Sequence, residues 1–381
     1  MRITQLELSH FRNIQAERFT PGPGINFLIG DNAQGKTSLL EAIYVLARGH
    51  SFRSPRVSDV ISYGETQTVV RAVVASNQRQ KEVGVEITPR SRTFVVNGKR
   101  QPLGRYLGQL VVFLSSLERM EIIRGEPEHR RRFLDEGIVT IDPTYAATLD
   151  RYHRILKNKN RLLKMASESD EPHRYTDQIE VWNEQLVEVG TIVHEKRLRY
   201  VHELSCVLEG RLFGVEQITL RYVSSLEAHG DVRTHYRELF AERLRVRQQA
   251  EVAVGYALVG PHRDDLEIQF NGRDLRHYGS LGQQRSALII LDLAQMSVYN
   301  KAFDESAIFL IDDVDAELDH RRIERLLDRL EGQGQSFITT SKREVVGPPS
   351  ACRRVFLLEA GHLRPEEASV TPSQLKNAPS A

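Results

Sequence analysis

Ile25-Asn26-Phe27-Leu28-Ile29-Gly30-Asp31-Asn32-Ala33-Gln34-Gly35-Lys36-Thr37-Ser38 is the stretch on which the fold turns. Its first five residues form a short apolar run stopped by a glycine, as expected of a buried strand. From Thr37 to Arg48 the apolar residues Leu39, Leu40, Ile43 and Leu46 recur at helical spacing. Between the two, Gly30 to Thr37 matches GxxxxGK[ST]. Glycines there let backbone N–H groups curl around phosphate oxygens, and the dipole of the following helix adds to that field. Lys36 would then reach the β- and γ-phosphates, and Thr37 would offer its hydroxyl oxygen to Mg²⁺. A chance glycine turn has no need of a buried strand before it and a helix after it. The stretch Gly30 to Ser38, with Asp31, Asn32, Ala33, Gln34 and Gly35 inside it, is therefore expected to bind a nucleoside triphosphate with Mg²⁺.

Two later segments complete such a site. Ile308-Phe309-Leu310-Ile311-Asp312-Asp313 is a nearly continuous apolar run ending in two carboxylates, which suits a Walker B strand: Asp312 on the metal, Asp313 orienting the attacking water. A strand ending in a solvated turn is the plainer alternative. Gly279-Ser280-Leu281-Gly282-Gln283-Gln284-Arg285 precedes the apolar helix expected from Ala287 to Met296. Its small residues at a helix N-terminus could meet phosphate, or could be an ordinary N-cap.

The 381 residues, 40% of them hydrophobic, allow one large core or two moderate ones. Lys plus Arg (52) nearly balance Asp plus Glu (51), so any nucleic-acid surface has to be a local patch. Cys206 and Cys352 lack CxxC spacing, against a disulfide framework or a zinc site and in favour of a reducing, cytoplasmic setting. Neither an apolar leader nor a run of about 18 apolar residues is found, so no membrane role is expected.

Around the motifs, Ile3 to Leu8 alternates like a half-buried strand, and Thr68 to Ser76, Glu82 to Thr88 and Arg92 to Val96 are β-prone, the last running into Asn97-Gly98, a hairpin dipeptide. From about Pro127 to Gln249 the chain turns charged and helical; Ile179, Trp182, Leu186, Val189, Val193, Lys196 and Tyr200 step by three and four, and Asp170-Glu171-Pro172 breaks the block into a helical hairpin. Val252 to Leu258 and Leu266 to Phe270 read as strands, with a second hairpin turn at Asn271-Gly272. Beyond Pro365 the chain is rich in Pro, Ser and Glu, and the segment 366–381 is expected to be a flexible tail.

The combined motifs resemble the ABC ATPases of the SMC type. Val259-Gly260-Pro261-His262-Arg263-Asp264-Asp265, Leu8-Ser9-His10-Phe11-Arg12-Asn13 and Arg130-Arg131-Arg132-Phe133-Leu134-Asp135 narrow the resemblance, over nearly the whole chain, to the RecF family. The resemblance implies an α/β fold: an ABC-type ATPase head of mixed sheet, helices and an antiparallel β subdomain, built from residues 1–125 and 250–365, with an all-helical lobe, 126–249, inserted. It also implies a homodimer in which Ser280, Gly282 and Gln283 face the partner's γ-phosphate, with Asp319 in the D-loop and Arg12 and Asn13 near the nucleotide. ATP-dependent DNA binding at single-strand gaps, cooperation with RecO and RecR, recombinational repair, replication restart and support of the SOS response are implied by the same resemblance.

Two departures bear on the chemistry. Phe113 to Ile123 lacks a Pro-Glu-Asp string, leaving Glu118 as the metal-side candidate, and Ile338-Thr339-Thr340-Ser341 carries no histidine. With Asp313 in place of the commoner glutamate, slow hydrolysis is expected, so that ATP governs assembly lifetime. Arg124, Arg130, Arg131 and Arg132, then Lys157, Lys159, Arg161 and Lys164, then Arg243, Arg245 and Arg247 are basic clusters able to meet phosphates or to form solvated helix faces. His262-Arg263-Asp264-Asp265 reads as a turn with an internal salt bridge rather than a metal or nuclease centre. A transporter subunit would not separate Lys36 from Ser280 by 244 residues, a fused nuclease would need a further carboxylate-rich domain, and a long SMC arm would need far more coiled coil than this chain has.

Overall fold

Buried residues Ile3, Leu6, Leu8 and Phe11 put one face of β1 (Arg2–Phe11) into the core, and a register shift between Ile3 and Gln5 explains the three-residue step from Ile3 to Leu6. The computed structural model describes residues 1–76, 79–208, 217–347 and 352–366. By contact the chain forms two units: Met1–Ser116 with the segment from Glu305 onward, and Leu117–Asp304.

The first unit continues with β2 (Ile14–Phe19), β3 (Ile25–Ile29), α1 (Lys36–Arg48), β4 (Thr68–Ser76), β5 (Arg79–Ile87), β6 (Arg92–Val96), β7 (Lys99–Gln101), α2 (Leu103–Tyr106) and β8 (Val112–Ser115). Strands β2-β1-β4-β5-β6-β7 make an antiparallel sheet. Asn97 (φ 47°) and Gly98 (φ 74°) close β6 onto β7 as the dipeptide predicts.

The second unit holds α3 (Glu121–Arg124), α4 (Pro127–Ile141), α5 (Tyr145–Ser167), α6 (Thr176–Leu208), β9 (Ile218–Val223), α7 (Tyr236–Val254), β10 (Asp265–Phe270), β11 (Arg273–Asp274), α8 (Leu275–Tyr278) and α9 (Leu281–Phe303). The expected hairpin is α5 and α6, which pack together with Ile179, Leu186, Val189, Val193 and Tyr200 buried. The block is not wholly helical, because β9 pairs antiparallel with β10. Val252 to Leu258 is no strand: α7 runs to Val254 and Gly255 (φ 77°) caps it in the left-handed region. Helix α9 packs on α6 and α4, with the Gln295 amide donating to the Phe133 carbonyl at 2.9 Å, so contact groups it with this unit.

The chain re-enters the first unit through β12 (Ile308–Ile311), α10 (Val314–Glu317), α11 (His320–Leu330), β13 (Ser336–Thr340), β14 (Arg353–Glu359) and β15 (His362–Pro365). A second sheet then forms in the order β15-β14-β3-β13-β12-β8, parallel except for β15. Strand β3, all five residues buried, sits inside it. Such burial on both faces requires the continuous apolar runs read at Ile25 and Ile308. Of the flexible tail expected at 366–381, Glu366 is held by Val355 and Arg343, and residues 367–381 lie outside the described residues.

Candidate nucleotide site

Parallel pairing of β12 with β13 aligns Ile311 with Ile338, so the residues just beyond, Asp312 and Thr339, meet at the carboxyl end of the sheet. Thr339 Oγ1 donates to Asp312 Oδ1 at 2.8 Å, and the Asp313 N–H donates to Thr339 Oγ1 at 2.7 Å. From the first turn of α1, Thr37 Oγ1 donates to the same Asp312 Oδ1 at 3.0 Å. Asp312 is 6% exposed. The structure thus brings together Thr37 and Asp312, 275 positions apart, as the paired motifs predict.

The loop from Gly30 to Gly35 is shaped by close approaches. A side chain at Gly30 would come within 2.4 Å of the Leu358 carbonyl, and Gly35 has φ 112°. Ala33 takes the left-handed conformation at φ 66°. The Lys36 ammonium, only 5% exposed at the residue level, donates to the Gly30 carbonyl at 2.7 Å and the Asp31 carbonyl at 3.1 Å, which holds the cation inside the loop. Gln34 is gripped from β14 and β15: its side-chain oxygen accepts from the Ala360 N–H at 2.6 Å and its carbonyl from the Gly361 N–H at 3.1 Å. Ser38 is buried in α1 and Asn32 is exposed.

Asn13 lies against this loop, its amide donating to the Ala33 carbonyl at 3.4 Å. The Arg12 guanidinium is engaged elsewhere, in a two-pronged pair with Glu41 of α1 (2.9 and 2.6 Å) and in hydrogen bonds to Ser54 and the Asp59 carbonyl. Glu41 has no exposed side-chain surface and also takes Arg53 at 3.5 Å. Asp313 adopts φ 49° and ψ 56°, a conformation an Asp tolerates at modest cost. Asp319 caps α11 by accepting from the Arg322 N–H at 3.0 Å. Asp315 accepts from the Ser341 hydroxyl at 3.0 Å; burial opposes its ionisation, yet bonds from Thr340 and Ser341 prevail and hold the carboxyl below its usual range.

Within the second unit, Ser280 is the N-cap of α9, and with Gln283 it forms a capping box: Gln283 N–H to Ser280 Oγ at 3.3 Å, Ser280 N–H to Gln283 Oε1 at 2.8 Å. Ser280 is exposed, and Gly282 is half-buried in the first turn. Glu118 is exposed on the 3-10 turn Leu117–Met120.

The structure corrects two expectations about charge. The salt bridge in His262-Arg263-Asp264-Asp265 is not internal: Asp265 pairs with Arg130 of α4 at 2.7 Å, and buried Asp264 accepts from Tyr222 and from Ser225. Two of the basic clusters lose members, since Arg130 is buried in that pair and Lys159 is fully buried against Glu251 at 2.6 Å. The structure also gives a role to Thr339, which the sequence marks only by the absence of a histidine, and adds Glu41, which no motif contains. The signal for Thr339 lies in aligning the two apolar parallel strands and reading off the residue opposite Asp312, while no sequence signal marks Glu41 beyond a lone carboxylate on an apolar helix face.

Similarity to known proteins runs along the same lines. The profile of the RecF/RecN/SMC N-terminal domain family matches residues 2–363. The DNA replication and repair protein RecF of Desulforudis audaxviator is 33% identical over 373 residues, covering 96% of this chain and all of that one. A solved structure of the recombination mediator protein RecF with ATP, from the RecFOR pathway, superposes with a TM-score of 0.83 at 31% identity, covering 96% of this chain and 97% of that one. The Smc head domain of Pyrococcus furiosus shares the fold at 17% identity and a TM-score of 0.54, covering 96% and 95% of the two chains. The chain belongs to the RecF/RecN/SMC N-terminal domain family and, within it, to the RecF family of DNA replication and repair proteins.

Proposed function

We propose that this chain is an ATP-gated DNA-binding switch that dimerises on nucleotide and acts in recombinational repair and replication restart. The observation that carries the reading is the triangle of Thr37, Asp312 and Thr339 beside the Lys36 ammonium. One carboxylate oxygen and one hydroxyl on the rim of a glycine loop suit a hard cation that keeps most of its waters, so Thr37 and Asp312 fit Mg²⁺. Bound there, Mg²⁺ would neutralise charge on the β- and γ-phosphates. Lys36 exchanges its two backbone carbonyls for phosphate oxygens, the loop N–H groups cradle the rest, and Asp313 orients the attacking water.

The residues 1–125 and 250–365 act as the head and 126–249 as the lobe, Ser280, Gly282 and Gln283 complete the site of a second copy, and Asp319 lies at the same interface. One P-loop and one signature segment per chain support two composite sites per dimer. Hydrolysis is slow, with Asp313 as the shorter carboxylate and Thr339 rather than histidine beside it, and bound ATP sets how long the dimer holds DNA. RecO and RecR are its partners at gapped DNA in the cytoplasm, in support of the SOS response. Mg-ATP should convert the wild-type chain from monomer to dimer in sedimentation, and Lys36→Met should remain monomeric. A Lys36→Met dimer formed on ATP, or a turnover of about ten per second or more, would overturn the reading.

A further inference from the structure

Helices α6 and α7 of the second unit pack closely at Gly190, where a side chain would meet Phe240 at 2.7 Å. The same two helices wall a groove of about 860 Å³. Its apolar lining includes the buried side chains Val187 and Leu244. From α6, Glu180, Glu184 and Glu188 line it at successive steps of four, and Glu238 and Glu242 repeat the step from α7. Carboxylates four positions apart on a helix repel each other, and a solvated face gains by placing a lysine or arginine at that spacing instead. In this lining Arg237 and Arg245 are set against five carboxylates. Glu188 is drawn to Arg151 of α5 at 3.4 Å. Glu180, Glu184, Glu238 and Glu242 are exposed and make no ion pair among the described residues. Two helices thus turn like charges toward one cleft.

Asn183 adds a second, independent signal. It lines the same groove and is 8% exposed, and its carboxamide Oδ1 has no hydrogen-bond partner among the described residues. Buried carboxamides are ordinarily satisfied. Asn160 of the neighbouring α5 follows that rule, its Oδ1 accepting from the Ala257 N–H at 2.8 Å. An apolar side chain at 183 would pack without the cost of an unmade bond, so the groove holds an acceptor in want of a donor.

We infer that the α6–α7 groove is a docking site for a cationic helical segment of a partner protein. Lysines or arginines at i and i+4 of that segment pair with the glutamate rows, an apolar side chain between them covers Val187 and Leu244, and one donor satisfies Asn183. A groove walled by two helices accepts the ridge of a third. Other ligands match less of the site. Five carboxylates repel a nucleic-acid backbone. Among the described residues no group of three or more His, Cys, Asp or Glu side chains could hold a metal ion. A free polyamine carries the charge but nothing to cover the apolar lining.

The experiment titrates the full chain, without nucleotide and at low salt, with an end-capped synthetic helix of about 18 residues bearing lysines at i and i+4 and leucine between them. Fluorescence anisotropy of the labelled peptide should show saturable binding to wild type. Glu184→Gln/Glu242→Gln should weaken it roughly 3- to 30-fold. Glu195→Gln/Glu203→Gln, which removes the same charge from α6 outside the groove, should change it less than about twofold. Asn183→Leu should weaken binding roughly 3- to 10-fold without lowering the melting point; unchanged affinity with a lower melting point would make Asn183 a structural residue and remove it from the site. A wild type that ignores the peptide, a groove variant that binds as wild type does, or displacement by spermidine at the peptide's own concentration each overturns the assignment. Nucleotide-free self-association that is lost in Glu184→Gln/Glu242→Gln gives the groove to a second copy and overturns it as well.

Discussion

Asp312 in the first unit and Asp135 in the second are both buried carboxylates, and their surroundings differ in kind. Asp312 Oδ1 accepts from the hydroxyls of Thr37 and Thr339. Asp135 is matched oxygen for oxygen by the Arg197 guanidinium at 2.8 Å on each side and by the Tyr145 hydroxyl at 2.7 Å, with Arg197 also donating to the Pro261 carbonyl. A carboxylate dressed with hydroxyls keeps its affinity for an incoming cation, whereas one clasped by a guanidinium has spent it on architecture. The second unit repeats the latter pattern at Lys159–Glu251 and Arg130–Asp265. The motif Gly260 to Asp265 thus serves as a fastener between helices.

The comparison is most strongly tested at the buried pairs. Arg197→Met strands the Asp135 charge and should cost about 3–5 kcal/mol in urea unfolding. Lys159→Met should cost a similar amount, while Lys159→Met with Glu251→Leu together should fall within about 1 kcal/mol of wild type or above it. If the single changes are harmless, these pairs are not the fasteners described.

Acid should act next. His262 is buried with its pKa pushed down to about 4, chiefly by burial, with the Ala257 carbonyl partly opposing. Its folded pKa lies below the ordinary 6.5, so its stabilising contribution is present above about pH 6.5 and is lost as pH falls through 4. Its share, roughly 3 kcal/mol, should be missing from the pH 7-to-4 difference in unfolding free energy of His262→Gln.

In the nucleotide site, Thr339→Val should cost about 1–3 kcal/mol in stability, because the Asp313 N–H loses its acceptor. It should also lower ATP turnover about tenfold or more with nucleotide affinity nearly unchanged, and Thr339→Ser should restore both. A fall in affinity alone would place Thr339 with binding rather than with positioning. The smallest stability effect belongs to Ser280→Gly, since glycine is nearly as good an N-cap. The melting point should barely move, yet ATP-driven dimerisation should fail. Normal dimerisation would reduce Ser280 to a helix cap.

Legibility tracks the distance over which the physics acts. Strand, glycine loop and helix at Ile25 to Arg48 are signalled by the pattern of adjacent residues, as are the Asn97-Gly98 and Asn271-Gly272 turns, and all are found where expected. Thr339 is hidden because its role depends on parallel register with a strand 27 positions away. Strand β9 escapes a sequence reading because its alternation lies inside a charged helical block and its partner β10 is distant in sequence. Lys159 reads as solvated because, on a helix, a lysine that pairs across to α7 has the same local signature as one facing water.

Strand β3 has as its two neighbours β13 and β14, which come after it by more than three hundred positions, and the turn at Ala360-Gly361 grips Gln34 of the nucleotide loop. Chains are made from the amino end, so a ribosome releases the loop long before it releases the strands that flank it. Until they arrive, the nascent polypeptide has a P-loop sequence without a P-loop. Competence to bind nucleotide is then a certificate of near-complete synthesis, and a truncated product ending before residue 336 cannot compete for the ligand.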